Sequence, residues 1–302
     1  MDDPLSGVLD LLRLKGCVYF QREFHAPWAM RIENTGFAQF HAIVSGDCVV
    51  DVGGSSRSCA VGDVIVFPHG DPHVLADRPG RYAVPGPEAM ASFNGPAPLF
   101  SSGERKCRII CGHYEYRSDI VHPAIGELPA AIHVQGLDRS GEDPVYATLR
   151  LMFGELARSE AGGMAVVERY SEILLIQVLR AHLRQATPRH GLLAAFADRR
   201  LAPAVALIHS GFAGPLSLDD LARAAALSRS SFAQRFRDVA GFPPIEYLTR
   251  WRMLVAGDLL RSAGLSVAQA AEQVGYESET AFARAFKKVV GTTPARYRRA
   301  RT

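Results

Sequence analysis

One stretch of this chain occurs twice. Phe232, Phe236, Gly241, Pro244 and Tyr247 return at an offset of fifty as Phe282, Phe286, Gly291, Pro294 and Tyr297. Upstream, Leu221, Ala222, Ala226 and Leu227 return at an offset of forty-nine as Ala270, Ala271, Gly275 and Tyr276. Self-similarity of this kind means two copies of one supersecondary unit, each completing a core that it cannot build from a single helix.

Each copy predicts a short helix, a tight turn and a second helix. Ser217 caps LDDLARAAAL, and Asp219 and Asp220 sit near the positive end of that helix dipole. Ser228 caps RSSFAQRFRDVAG and Gly241 stops it; Ser266, Ser278 and Gly291 repeat the grammar around VAQAAEQVGY and ETAFARAFKKVVG. Phe232, Phe236 and Val239, like Phe282, Phe286 and Val289, fall at i, i+4 and i+7 and form apolar stripes for a core.

Opposite the phenylalanines the residues are short or polar: Ser230, Ala233, Gln234 and Arg237, then Thr280, Ala283, Arg284 and Lys287. Small residues let a helix enter a major groove, Gln and Arg match the edges of adenine and guanine, and outer Arg or Lys reach phosphates. Solvated amphipathic helices would carry the same stripe. The helix–turn–helix grammar appearing twice, with small Ala226 and Gly275 at the turns, favours a DNA reader. Between the copies Pro244 opens IEYLTRWRMLVAGDLLRSA, a strut able to hold two such helices about 34 Å apart, in successive grooves.

Charge agrees with that reading. Residues 201–302 carry 14 Lys/Arg and 8 Asp/Glu, whereas residues 1–200 carry 20 and 23, so the overall +3 conceals a basic repeat. The 302 residues, 48% hydrophobic and 22% charged, suffice for two cored domains. The most apolar run, ILLIQVL at 173–179, is far short of the roughly 20 residues of a membrane span. The opening MDDPLSGVLDLLRLKG lacks a basic region before an apolar one, and five scattered cysteines do not form a disulfide framework, so a cytoplasmic location with no membrane partner is expected.

SFAQRFRDVAGFPPIEYLTRWRMLVA and VAQAAEQVGYESETAFARAFKKVVGTTPARYRR resemble the double helix–turn–helix domain of the AraC/XylS transcription regulators, over about residues 201–299. The resemblance rests jointly on the Gly-Tyr turn, the Phe spacing and the Gly-x-x-Pro-x-x-Tyr ending. It implies base-facing Arg229, Ser230, Ala233 and Gln234, then Glu279, Thr280, Ala283 and Arg284, with double-stranded promoter DNA and RNA polymerase as partners. Ser230 and Ala233 stand where members often carry bulkier readers, which implies fewer specific contacts from the first unit. Glu279 either accepts from cytosine or serves the helix end.

Residues 16 to about 118 have another texture. Alternating runs such as FAQFHAIV, DCVVDV, DVIVF and CRIICGHY, separated by Gly, Pro and Ser, predict a β-sandwich or barrel. Two helices follow at 144–159 and 164–185, then a linker, ATPRHG, at 186–191. GDVIVFPHGDPHVLAD at 62–77 resembles the second cupin motif through Gly62, Pro68, Gly70 and His73, with Asp77 in place of the usual Asn. The first motif is incomplete: Gln39 stands in the place of its glutamate, and residues 32–35 read Ile, Glu, Asn, Thr where two histidines would fall. The three-His-plus-Glu set of cupin metalloenzymes therefore cannot be assembled. A cupin metalloenzyme with an accessory helical domain is the alternative to a regulator, and no catalytic residue is assigned.

The chain from 5 to 299 thus resembles the cupin-bearing branch of the AraC/XylS family, some of whose members are thought to respond to oxidants. Cys107, Ile109, Cys111 and His113 share one strand face, as do Gln39 and His41. Cys17, Gln39, His41, His73 and Cys111 are the candidate effector or redox residues. Three readings stand open: separate core residues, a zinc site of Cys17, His41, His73 and Cys111, or a redox pair of Cys17 with Cys111. Cys48 and Cys59 read as packing residues and His69 as solvent-facing.

The helices at 144–185 carry stripes of Leu149, Met152, Phe153 and Leu156, then Val167, Tyr170, Leu174, Ile176 and Leu179, suited either to covering the barrel or to a dimer interface. The expected architecture is α+β: a cupin-like sensor barrel at 1–143, a helical connector and dimerisation region at 144–190, and an all-α double helix–turn–helix domain at 191–302. The expected protein is a homodimeric one-component transcription regulator that senses a small molecule or oxidant.

Overall fold

The computed structural model describes residues 3–116, 122–136, 143–158, 160–186 and 190–300; residues 187–189 of the expected linker lie outside them. In chain order, α1 (Pro4–Leu12) precedes β1 (Lys15–His25), β2 (Ala29–Ile32), β3 (Ala38–Ser45), β4 (Asp47–Val52), β5 (Ser55–Ala60), β6 (Val64–Phe67), β7 (His73–Ala76) and β8 (Val84–Pro85). Then come α2 (Gly86–Ser92), β9 (Lys106–Glu115), α3 (Pro123–Gly126), β10 (Ile132–Val134), α4 (Pro144–Arg158) and α5 (Gly163–Ala186). The remainder is α6 (Leu192–Ala197), α7 (Ala202–Gly211), α8 (Leu218–Ala224), α9 (Arg229–Ala240), α10 (Pro244–Arg261), α11 (Val267–Gln273), α12 (Glu279–Val290) and α13 (Pro294–Arg299).

Packing gathers these elements into two units. The described residues within 14–116 and 128–185 form one, and those within 1–13, 117–127 and 186–302 form the other.

The first unit is the expected barrel, two five-stranded sheets ordered β1-β9-β3-β6-β10 and β5-β4-β7-β2-β8. β3 is buried over Ala38–Ile43 on both faces, because each face has a different cover. Ile43, Ile109, Cys111 and Phe67 of one sheet meet Val50, Leu75, Cys48 and Cys59 of the other in the interior. On the outer face Phe40 stacks on Tyr114 at 5.0 Å, and the Tyr114 hydroxyl donates to the Ser171 carbonyl of α5 at 3.0 Å. α5 approaches closely because residue 16 is glycine: a Cβ there would overlap Ser171 Oγ.

The stripe of α4 and α5 is therefore a cover for the barrel: Leu149, Met152, Val167, Leu174 and Leu179 are buried, while Phe153, Leu156, Tyr170 and Ile176 are half-buried. Another side of the same pair stays bare, with Leu151 53%, Met164 52% and Ile173 41% exposed. His69 departs from the solvent-facing position expected of it. It is half-buried, and its Nε2 lies 2.8 Å from the Leu128 carbonyl, which satisfies the ring within the fold.

The second unit contains the repeat. Both first helices start with a complete capping box, Ser217 with Asp220 and Ser266 with Gln269, and both second helices end on a left-handed glycine, Gly241 and Gly291 at φ 83°. The turns also match, with Ala226 at φ 51° and Gly275 at φ 79°. Met253, Ala256 and Leu260 of α10 pack with Ala270, Val274, Phe282, Phe286 and Tyr297, so the strut is the shared core wall of the second copy.

Two segments from within the span 1–143 pack here as well. α1 rests on α7 and α10: a Cβ at Gly7 would fall 2.9 Å from His209 Nδ1 and 3.6 Å from Trp251. Next to α3, His122 lies 3.4 Å from the Tyr247 hydroxyl, which His209 Nε2 meets at 2.6 Å. The His209 ring stacks on Trp251 at 3.7 Å, and burial lowers His122 and His209 to about 3, so this polar cluster is neutral. Glu127 closes the set, accepting from the Leu192 and Leu193 N–H groups at 2.7 and 3.3 Å and so capping α6.

Candidate nucleic-acid interface and barrel pocket

α9 and α12 present the same pattern of burial. Phe232 and Phe236, and likewise Phe282 and Phe286, are fully buried, which turns the opposite side of each helix outward. On α9, Arg229, Ser230, Gln234 and Arg237 are exposed with Ala233 half-buried between them; on α12, Glu279, Thr280, Arg284 and Lys287 are exposed around half-buried Ala283. All ten expected DNA-contacting residues thus lie on the outward sides of the two helices.

Their surroundings differ in ways that bear on chemistry. Gln234 donates to Asp238 at 2.7 Å and Arg229 lies 3.6 Å from Asp219, so two α9 groups exchange an intramolecular partner for any external one. Arg284 has no ion-pair partner among the described residues. Ser278 supplies the cap of α12, leaving Glu279 in the first turn, where the helix dipole favours its charge. Arg235, outside the expected set, ties α9 to the preceding helices through Asp198 at 2.6 Å.

In the barrel, three of the five candidate residues meet. Neutral His73 lies 2.8 Å from the Asp71 carbonyl through Nδ1, so it donates there and its Nε2 accepts from His41 Nε2 at 2.7 Å. His41 Nδ1 is then the acceptor for the Cys111 thiol at 3.0 Å. Burial supports this assignment, holding His73 at about 4, His41 well below its ordinary range and Cys111 well above its own. All four ring nitrogens of His41 and His73 are used, and His73 also stacks on Phe67 at 3.6 Å.

Cys17 lies elsewhere. In register it faces His113, and its sulfur groups with His113 and Glu115, with ligand atoms within 4.8 Å of one another. The expected zinc set of Cys17, His41, His73 and Cys111 is therefore not assembled: three of its members satisfy one another and the fourth belongs to another cluster. Burial first, then Glu115, raises the Cys17 thiol as well, so both members of the expected redox pair are held protonated, the reverse of the electropositive setting that activates a thiolate.

His113 is the residue that sequence reasoning left outside the candidate set. It stacks on Tyr19 at 4.7 Å and meets Phe37 at 5.2 Å, and both aromatics are nearly half exposed. Its buried Nδ1 has no hydrogen-bond partner among the described residues. Gln39, 3% exposed, spends its amide on Thr35 Oγ1 at 2.6 Å. The strand alternation that put His113 beside Cys111 was the available signal; the aromatic pair around it comes from segments distant in sequence, Tyr19 on β1 and Phe37 in the bend before β3. Asp77 has a structural role: burial alone would raise its carboxyl, but two bonds from Arg81 at 2.8 and 3.0 Å and one from the Trp28 N–H outweigh this and hold it ionised.

A barrel without a three-His-plus-Glu centre, in one chain with a paired helix–turn–helix unit, defines a DNA-binding transcription regulator of sensor-plus-reader construction. A cupin family model matches residues 3–184, and a helix-turn-helix domain model matches 221–300. A putative AraC-like transcription regulator of Streptomyces lividans is 31% identical, with 98% of each chain covered. An uncharacterized HTH-type transcriptional regulator of Haemophilus influenzae is 28% identical over 98% of each, and the HTH-type transcriptional regulator AlkR of Acinetobacter baylyi is 26% identical over 98% of this chain and 99% of its own. The chain belongs to the AraC-like transcription regulators, and these full-length relatives set aside the metalloenzyme alternative.

Proposed function

We propose that the chain regulates transcription by laying α9 and α12 in successive major grooves of promoter DNA. Arg229, Ser230, Ala233 and Gln234 face bases in one groove, and Glu279, Thr280, Ala283 and Arg284 in the next, while Arg237 and Lys287 reach phosphates. The observation that carries this is the matched burial of the two helices, phenylalanines inward and small or polar residues outward. Replacing Arg284 by Ala is expected to weaken promoter binding by about 1–3 kcal/mol, roughly 5- to 150-fold, with an unchanged circular dichroism spectrum. Gel-shift titration measures the affinity, and a wild-type value would remove α12 from the interface. Run-off transcription with RNA polymerase, the proposed partner on the promoter, reads the same variant.

The region 144–190 serves as the dimerisation surface, because Leu151, Met164 and Ile173 remain uncovered on helices whose other side is spent on the barrel. A dimer doubles the DNA footprint and raises affinity through effective concentration. Sedimentation should show a wild-type dimer and a Leu151→Arg monomer; a wild-type monomer at micromolar concentration would end this reading.

The mouth of the barrel takes the effector. Tyr19 and Phe37 flank His113 Nδ1, which has no partner among the described residues, a setting for a small planar or apolar molecule bearing one polar group. Its binding shifts promoter affinity only if it favours one arrangement of the dimer, so a compound that binds without altering the gel shift is not the effector. A regulator that acts on promoter DNA works in the cytoplasm, and cell fractionation checks this location. Among the described residues, no helix is long and apolar enough to cross a membrane.

A further inference from the structure

Arg252 lies on α10, the strut between the two copies, and its guanidinium is spent on backbone. Nε donates to the Phe212 carbonyl at 2.7 Å and Nη2 to the Gly214 carbonyl at 2.8 Å. Both acceptors belong to the loop that leads from α7 into α8 and so opens the first helix–turn–helix. No carboxylate pairs with Arg252 among the described residues.

The same arginine reaches the second copy. Its Cζ stands 5.7 Å from the ring centre of Tyr276, within range of a cation–π contact, and Tyr276 directly follows the turn glycine, Gly275. The Tyr276 ring in turn meets Phe282 of α12 edge-on at 5.8 Å. The loop approaches the second copy as well. Phe212 packs against the core of Met253, Val274 and Phe282, and the Ala213 carbonyl sits so near Gly275 that a Cβ there would overlap it.

Capping accounts for part of this arrangement. Phe212 and Gly214 lie at and just beyond the C-terminal end of α7, where helix carbonyls lack partners and a cation is favoured. A lysine would serve that purpose. Capping does not account for a planar fork spread over two carbonyls of one copy and set beside the turn tyrosine of the other, a geometry that arginine alone supplies.

We propose that Arg252 is a positioning residue for DNA reading: it latches the 212–214 loop to the 275–276 turn and thereby fixes the separation and phase of α9 and α12. The inference rests on the proposal that these helices enter successive grooves. A rigidly held pair accepts one spacing of its two base patches, because an added base pair moves the second patch about 3.4 Å along the duplex and roughly a tenth of a turn around it. With the latch removed, the pair yields to that displacement.

The test uses the full chain. Footprinting locates the two patches, and gel-shift titration then compares that duplex with one carrying a single extra base pair between them. Wild type should bind the longer duplex at least about tenfold more weakly. Arg252→Met, which keeps apolar bulk and loses the fork, should bring this ratio below about threefold, with Arg252→Lys in between. The ratio is the readout, since a general loss of stability weakens binding to both duplexes alike. Circular dichroism confirms that each variant is folded; should Arg252→Met fail to fold, Arg252→Lys decides. A variant ratio equal to that of wild type would overturn the latch and leave the two-groove reading intact. Wild type indifferent to the extra base pair would remove the two-groove reading, and the latch with it.

Discussion

Replacing Phe286 by Ala is expected to destabilise the DNA-reading unit by about 3–5 kcal/mol. Phe286 has no exposed surface and lies where α12, α10 and α13 converge, with Phe282 at 5.6 Å and Tyr297 at 5.3 Å between ring centres. Deleting its ring removes apolar contact and leaves a cavity among Met253, Leu260 and Val274 that neighbouring helices can close only by shifting α12. Since a domain's whole stability is about 5–15 kcal/mol, a loss of this size leaves the unit marginal. DNA binding should fall with it although Phe286 touches no base. Urea unfolding of the full chain followed by far-ultraviolet circular dichroism measures the change, and a shift below about 1 kcal/mol would mean that α12 is not anchored as described.

A valine at Gly275 is expected to cost about 3 kcal/mol or more. The residue sits at φ 79°, where a β-branched side chain is an outlier, and a Cβ would approach the Ala213 carbonyl oxygen to 2.4 Å. That neighbour is backbone, so relief requires moving the turn between α11 and α12. The corresponding residue of the first copy, Ala226 at φ 51°, carries a Cβ in the same left-handed region. The two copies share a dihedral requirement and differ in the space around it, and only the second demands glycine. Thermal unfolding of Gly275→Val beside wild type tests this; an unchanged midpoint would show that the turn yields.

The parts of this fold that were legible in the sequence are those governed by near neighbours. Ser217, Ser228, Ser266 and Ser278 announced helix starts because a cap acts over three residues, and all four accept the expected N–H. The phenylalanine spacing gave the buried faces of α9 and α12, since helical geometry alone decides which side they share. What escaped notice depends on partners far apart in the chain. Nothing in PLSGVLDLL shows that it packs on His209 and Trp251, more than two hundred residues away. Glu127 capping α6 and Tyr19 and Phe37 around His113 likewise have no spacing to betray them, whereas Cys48 and Cys59, which flank one hairpin, are the buried packing residues expected of them. The set of Cys17, His41, His73 and Cys111 failed to close for the same reason: residue types suggested ligands, and register, set by the whole sheet, sent Cys17 to His113.

The central claim is that α9 and α12 read DNA together. Hydroxyl-radical footprinting of the chain on its promoter measures this most directly. Each protomer should protect two patches on one face of the duplex about 10 base pairs apart, with Gln234→Ala weakening one patch and Arg284→Ala the other. A single patch per protomer, or two patches indifferent to both substitutions, would contradict it.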